Sequence, residues 1–162
     1  MSSKRIKLRL STQSAKDAIA EIEAYRDSIK RAVNELGQEL VSEGVFTAKT
    51  WIIAYDAVES GQLLNSIEGV FDEGTGKGFI RTNSGHAAFV EYGTGVIGEE
   101  SKAISPDRPE GWEYDVNEHG HYGWFYANGR WTKGMPPRPF MWNTFKDLCD
   151  KADALVRLKL HG

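Results

Sequence analysis

The fold of this chain is decided around residues 87–95, whose sequence is Ala87-Ala88-Phe89-Val90-Glu91-Tyr92-Gly93-Thr94-Gly95. The small and apolar residues at its start suit a buried segment, and Glu91 places a carboxylate directly before a turn. Glycines flank Thr94, and glycine permits the positive φ angles and close backbone approach that a sharp reversal needs. The segment therefore joins two halves of the chain. A long helical pattern and a hairpin precede it, and a loop, a second hairpin and a closing helix follow it.

The first half predicts a strand and a long helix. Residues 5–10 alternate between charged and apolar, which is the period of a half-buried strand. Ser14 followed by Asp17 resembles a capping box, which starts a helix. Apolar residues at three- and four-residue steps then form one stripe to about Ser42, where Gly44 either breaks or kinks the helix. We expect this stripe to lie in the core; it comprises Ala15, Ala18, Ile19, Ile22, Ile29, Val33, Leu36 and Leu40.

A hairpin is predicted next, with strands at residues 67–71 and 78–82. Residues 61–66, just before it, fit a short turn or helical piece. The glycine-rich tip contains Gly74-Thr75-Gly76-Lys77-Gly78, which superficially resembles a phosphate loop. The upstream glycine and the Ser or Thr after the lysine are missing from that motif, so we expect no nucleotide binding.

The second half predicts a long acidic loop, an aromatic hairpin and a helix. A loop as long as residues 96–122 is usually functional or disordered. Trp112 and Tyr114 argue against disorder because aromatic rings need something to pack on, so we expect the loop to order against a neighbouring subunit. Asn128-Gly129 between aromatic flanks predicts a hairpin. Prolines at 136, 137 and 139 then lead into a closing helix that ends near Leu158. The acids of the loop are Glu99, Glu100, Asp107, Glu110, Glu113, Asp115 and Glu118.

The composition describes one ordinary globular domain, residues 1–162. A hydrophobic fraction of 40% and a charged fraction of 27% are typical of soluble proteins. The net charge of -3 argues against a sequence-independent nucleic-acid binder, which carries a basic excess. The lone Cys149 excludes an intrachain disulfide and fits a reducing cytoplasm. Because the sequence also predicts no signal peptide and no apolar run long enough to cross a bilayer, we expect a soluble intracellular protein without a membrane partner.

The residue pattern predicts no catalysis, no cofactor and no metal. Glu91 alone could act as a general base, but no nucleophile or acid partner is recognisable beside it, which favours capping of the turn or pairing with a subunit. Glu118-His119-Gly120-His121 most resembles a metal site, yet a further ligand at fixed spacing is missing. A Gly-x-Ser-x-Gly elbow and a dinucleotide fingerprint are also missing. We therefore expect no enzymatic activity.

Three segments carry a resemblance to a known family. Gly61-Gln62-Leu63-Leu64-Asn65-Ser66-Ile67 is similar to the pattern Gly-x-Leu-x-x-Ser-Ile. Ala88-Phe89-Val90-Glu91-Tyr92-Gly93-Thr94-Gly95 is similar to a hallmark of an alanine, an aromatic residue and Glu-Tyr/Phe-Gly-Thr. Pro137-Arg138-Pro139-Phe140-Met141 precedes the final helix. Over residues 14–158 the chain thereby resembles the phage gene-product-ten-like family of head–tail joining, or tail-completion, proteins of long-tailed bacteriophages.

The resemblance implies a structural protein of the virion neck or tail end, made in the host bacterial cytoplasm. It implies a homo-oligomeric ring, a hexamer first and a dodecamer next, that contacts other neck, head-completion and tail-terminator or tail-tube proteins. DNA would pass through the lumen without specific binding. Because clustered lysines hold phosphates through counterion release, we place some of the acids of the loop or of the first helix toward the channel.

The expected fold is α+β, a small and mostly antiparallel sheet packed against a long N-terminal helix and a C-terminal helix. The motif residues expected to serve structure or subunit contacts are Glu91, Tyr92, Gly93, Thr94, Gly95, Trp112, Tyr114, Pro137, Arg138, Pro139 and Phe140. Two other functions stay open. One is a non-viral peptide- or nucleic-acid-binding module that uses the aromatic hairpin, and the other is a small metal hydrolase built around His119 and His121.

Overall fold

The computed structural model describes residues 11–101, 109–112, 114, 123–125 and 128–161. The fold is α+β, as the sequence predicts: two long helices pack side by side, and a two-stranded antiparallel sheet packs on the first of them. The predicted strand at residues 5–10 lies outside the described residues. The elements are α1 (Thr12–Ala54), α2 (Gln62–Ser66), β1 (Ile67–Asp72), β2 (Lys77–Thr82), α3 (Ala87–Tyr92), α4 (Gly95–Ser101), β3 (Trp124–Phe125), β4 (Trp131–Thr132), β5 (Gly134–Met135) and α5 (Phe140–His161).

Helix α1 begins earlier and ends later than the sequence predicts. Ser11 is its N-cap, since the Ser11 hydroxyl accepts a hydrogen bond from the backbone N–H of Ser14 at 3.2 Å. The prediction that Ser14 opens a capping box is therefore wrong. Gly44 does not break the helix either. A Cβ at that position would lie 2.0 Å from Ile80 Cδ1 and 3.0 Å from Leu148 Cδ1, so this glycine lets β2 and α5 approach the helix.

The first hairpin forms as predicted, with Ile67 opposite Thr82 and Asp72 opposite Lys77. It lies along α1 because glycines leave room: a Cβ at Gly37 would lie 2.2 Å from the Phe71 ring, and a Cβ at Gly69 would lie 2.4 Å from Val41 Cγ1.

The tip of this hairpin is closed by the carboxylate of Asp72. Oδ2 accepts from the Thr75 hydroxyl at 2.8 Å, and Oδ1 accepts from the Gly74 N–H at 2.8 Å. These hydrogen bonds, that of the Thr75 hydroxyl first, lower the pKa of Asp72 below its ordinary value. Because the pKa of Asp72 is lower in the folded state, these hydrogen bonds contribute to folding stability at a pH above the ordinary carboxyl pKa. The contribution is lost as the pH falls through the folded-state pKa.

Helix α5 packs antiparallel on the C-terminal half of α1. The indole N–H of Trp51 donates to Asp147 at 2.8 Å, and the amide of Asn143 donates to the Tyr55 hydroxyl. One turn farther along α5, Lys151 pairs with Glu43 of α1. The partners on α1 move toward its N-terminus as those on α5 move toward its C-terminus, so the helices are antiparallel. All of these contacts are made in the second half of α1 or at its C-cap.

The N-terminal half of α1 does not form core, contrary to the prediction for the whole apolar stripe. Leu36 is buried, but large apolar residues nearer the N-terminus are exposed: Ile19, Ile22, Tyr25 and Val33. The physical reason is length. At 1.5 Å per residue α1 is about 65 Å long and α5 about 33 Å, so a helix of 43 residues extends beyond its partner of 22.

The predicted long loop begins as a helix. Residues 95–101 form α4, so the prediction of a structureless segment from Val96 is wrong over its first six residues. Residues 102–108, 113 and 115–122 lie outside the described residues. None of the helices in the part of the chain that the structure describes is long and apolar enough to cross a membrane.

The burial of Leu36 gives a stability prediction. Leu36 is 8% exposed, so Leu36→Asp places an unpaired carboxylate in the core and is expected to lower the free energy of unfolding by about 3–5 kcal/mol. Ile19→Asp is the matched control on the same stripe, because Ile19 is 57% exposed, and it should change the value by less than about 1 kcal/mol. Urea denaturation in dilute solution measures both. Equal losses would show that the stripe is buried along its whole length.

Candidate functional site

The three segments that carry the family resemblance meet in one core. Leu63 and Ile67 of the first segment, Val90 of the second and Phe140 of the third belong to one buried cluster. The C-terminal part of α1 completes that cluster through Ala48 and Ile52, both fully buried. Residues separated by more than seventy positions in the sequence therefore form a single packing unit.

Glu91 caps the N-terminus of α5. Its side chain is buried, and its two carboxylate oxygens accept from the backbone N–H groups of Met141 at 2.9 Å and Trp142 at 3.0 Å. The first N–H groups of a helix have no partner within the helix, and the positive end of the helix dipole favours a carboxylate there. Glu91 is thus a cap, but of a distant helix and not of its own turn.

The backbone of the chain just before α5 pairs with the turn at Gly93 and Gly95. We call the contact between this turn and residues 134–135 the glycine crossing. Gly95 pairs with Gly134, and Thr94 pairs with Met135, as isolated antiparallel bridges. Both partners of the first pair have positive φ, 63° at Gly95 and 112° at Gly134. A Cβ would lie 2.3 Å from the Lys133 carbonyl oxygen at Gly95 and 1.9 Å from the Thr94 carbonyl oxygen at Gly134. Backbones this close exclude any side chain at either position.

The proline-rich segment ties the same region to the end of α1. The N–H of Arg138 donates to the Val90 carbonyl at 2.8 Å, and its guanidinium donates to the Asp56 carbonyl at 3.3 Å. Pro139 is buried and its carbonyl accepts from the N–H of Asn143, while Phe140 is almost fully buried. Pro137 is half-buried, and its nitrogen would lie 2.9 Å from a Cβ at Gly93. All four predicted residues of this segment therefore serve the core of their own chain.

The predicted loop aromatics pack within the chain as well. The Trp112 ring lies 5.2 Å from that of Tyr92 and 5.7 Å from that of Phe89, measured between ring centroids. The carbonyl of Tyr114 accepts a hydrogen bond from the N–H of Gly95. Trp112 therefore packs on α3 of its own chain, and the expectation that the loop orders against a neighbouring subunit stays a prediction.

Among the residues that the structure describes, two buried polar atoms beside the turn have no hydrogen-bond partner: Thr94 Oγ1 and Trp112 Nε1. Leaving a buried polar group unpaired is unfavourable, so this is a weak point in the packing of the turn. The neighbouring residues Glu91, Tyr92 and Tyr114 make further contacts.

The second hairpin presents its aromatics to solvent. Phe125 and Trp131 are directly opposite each other on β3 and β4, and Phe125 is 70% exposed. The ammonium of Lys133 lies 5.8 Å from the centroid of the Trp131 ring. This exposed pair is the aromatic surface that the sequence predicts.

The proposed metal cluster around His119 and His121 lies outside the described residues. Within the part that is described, no group of three or more His, Cys, Asp or Glu side chains is placed to hold a metal ion.

Sequence reasoning missed Gly98 and Gly134, which complete the glycine crossing. Gly134 could have been noticed because it follows the short second strand of the Asn-Gly hairpin. Its pairing with Gly95 is not encoded in the local sequence.

Comparison with known proteins adds no relative: no protein-family model matches the chain, and no similar curated protein or solved structure was found.

The capping role of Glu91 predicts a graded loss of stability. Glu91→Ala removes the acceptors of two N–H groups at the start of α5 and is expected to cost about 1.5–3 kcal/mol, the range for hydrogen bonds to charged groups. Glu91→Gln keeps one oxygen and should lose less, and Glu99→Ala on the exposed face of α4 should lose almost nothing. Urea denaturation gives the three values. Equal stability of the Ala and wild-type proteins would exclude the capping role.

The backbone crossing predicts that Gly134→Ala is far more damaging than Gly129→Ala. Both glycines have positive φ, 112° and 79°, so both variants carry a backbone penalty of about 1 kcal/mol. Only Gly134 has a neighbour within 4 Å of its Cβ, the Thr94 carbonyl oxygen. The expected extra loss is about 2 kcal/mol or more, because the two backbones must separate. Similar melting temperatures for the two variants would contradict the crossing.

Proposed function

We propose that this protein is a structural subunit of a tailed-bacteriophage virion, a tail-completion or neck protein at the junction of head and tail. The observation that carries the proposal is that the three segments resembling the gene-product-ten-like family, distant in sequence, build one core: Leu63 and Ile67, Val90 and Glu91, and Phe140. Residues required by a shared fold are expected to meet in this way.

The chemistry of the described surface fits this role. A subunit that holds a channel open needs a rigid core, and the Glu91 cap and the glycine crossing supply one. The exposed acids of α4 and the following turn, Glu99, Glu100 and Glu110, are candidates for the lining of the lumen, because negative charge lets DNA slide. The assembled ring would be a hexamer first and a dodecamer next, joined to other neck, head-completion and tail-terminator or tail-tube proteins.

A phage lacking this gene tests the proposal. Electron microscopy of the lysate should show filled heads and finished tails that are not joined, and supplying the wild-type protein from a plasmid should restore joined particles. Mass spectrometry of purified wild-type virions should detect the chain. Normal infectious titre without the gene would overturn the proposal.

The exposed Phe125–Trp131 pair favours a second candidate, a peptide- or nucleic-acid-binding module. Aromatic side chains beside a cation can stack on bases of single strands. Retention of single-stranded DNA at low salt, lost in the Phe125→Ser, Trp131→Ser double variant, would support this candidate. Flow-through of the wild-type protein under the same conditions would exclude the nucleic-acid form of it.

A further inference from the structure

The turn of the second hairpin contains the one Asn-Gly pair of the sequence, Asn128-Gly129. Both residues are exposed, and a Cβ at Gly129 would have no heavy atom beyond its chain neighbours within 4 Å. The backbone nitrogen of the residue that follows an asparagine can attack the side-chain amide carbon. Glycine favours this attack because it lacks a Cβ and adopts many backbone conformations. The residue pair and its exposure therefore make this turn chemically reactive.

The structure holds the side-chain amide of Asn128 at both of its polar atoms. Its Oδ1 accepts from the backbone N–H of Arg130 at 3.0 Å, and its Nδ2 donates to Glu59 Oε1 at 3.5 Å. The hydrogen bond to Arg130 folds the side chain over the backbone of Gly129, which brings the amide carbon toward the Gly129 nitrogen. A donor at Oδ1 also stabilises the negative charge that this oxygen gains during the attack.

We propose that Asn128 is a site of spontaneous deamidation, and that the product loosens the second hairpin from the loop after α1. The Gly129 nitrogen loses its proton and bonds to the amide carbon of Asn128. The bond from that carbon to Nδ2 breaks, and Nδ2 takes up a proton and leaves as ammonia. Water then opens the cyclic imide on either side of its nitrogen, which yields aspartate or isoaspartate. Water is the only co-reactant.

The products change the contact between the hairpin and the loop after α1, residues 55–61. The amide of Asn128 attracts the carboxylate of Glu59, whereas a carboxylate in its place repels it. The isoaspartate product also inserts a methylene into the backbone of the turn, so the turn no longer fits the register that places Phe125 opposite Trp131. This exposed aromatic pair therefore changes with the age of the protein. The inference goes beyond the proposed function, and it holds whether or not the chain is a virion component.

Ageing of the purified full chain measures the reaction. The protein is kept at physiological temperature and mildly basic pH, and samples taken over days are analysed by tandem mass spectrometry. The mass at Asn128 should rise as NH2 is replaced by OH, and an isoaspartyl methyltransferase should label the product. The internal comparison is Asn83, which is exposed in a loop but is followed by Ser84. An intact Asn128, or one that reacts no faster than Asn83, would overturn the proposal.

Gly129→Ala tests the attacking nitrogen. This variant should react roughly tenfold more slowly or less, because the added Cβ hinders the attack and a φ of 79° is unfavourable for alanine. The matched control is Gly76→Ala in the tip of the first hairpin. Gly76 also has positive φ, 67°, and open space around its Cβ position, so this variant should leave the rate at Asn128 unchanged. Equal rates in the two variants would exclude attack by the Gly129 nitrogen.

Asn128→Asp reproduces the aspartate product and tests its effect on the hairpin. Amide hydrogen exchange in β3 and β4 should become about two- to fivefold faster, the range for charges that interact at an exposed site. Asn83→Asp adds the same charge in another exposed loop and should leave this exchange unchanged. In a Glu59→Gln background Asn128→Asp should lose most of its effect, because the repelling carboxylate is gone. Unchanged exchange in Asn128→Asp, or an equal increase without Glu59, would contradict the loosening by charge repulsion.

Discussion

The structure depends on one buried carboxylate that holds the start of the last helix. Glu91 accepts from the first N–H groups of α5, and this fixes where α5 begins and which way it points. Because α5 covers the second half of α1, the same contact determines how much of α1 becomes core. The pairs Trp51–Asp147 and Tyr55–Asn143 then join the two helices. The carboxylate of Glu91 thereby links the start of α5 to the packing of α5 on α1.

Around that carboxylate several contacts are made by backbone atoms alone. Gly95 and Gly134 let two segments touch directly, and the N–H of Arg138 reaches the carbonyl of Val90. Backbone contacts of this kind tolerate little movement because no flexible side chain lies between the two segments. The result is a rigid centre that includes the start of α4, and the second hairpin and the N-terminal half of α1 lead away from it. Each projecting part carries exposed apolar residues, such as Ile97, Phe125 and Ile22.

Most of the elements could be predicted from the sequence, because their signals are local. Strand-like segments on both sides of a glycine-rich tip predicted the first hairpin, Asn128-Gly129 predicted the second, and the prolines predicted the start of α5. The errors concern long-range packing. Periodicity places Ile19 and Leu36 on one stripe, but Leu36 is buried and Ile19 is exposed, because the period of α1 does not encode how far the other elements reach along it. Glu91 was expected to cap its own turn or to pair with a subunit, whereas its partners at Met141 and Trp142 lie 50 and 51 residues away, beyond any local pattern.

The pairing of the two long helices also sets an order of events during synthesis. Trp51 and Asp147 are separated by 96 residues, so α1 has left the ribosome long before its partner exists. At a synthesis rate of roughly 5–20 residues per second, the second half of α1 waits roughly 5–20 s for α5. During that interval the indole N–H of Trp51 lacks the carboxylate of Asp147, to which it donates in the folded chain. A protein whose first helix is completed by its last is therefore a natural client for chaperones that bind apolar segments on the ribosome.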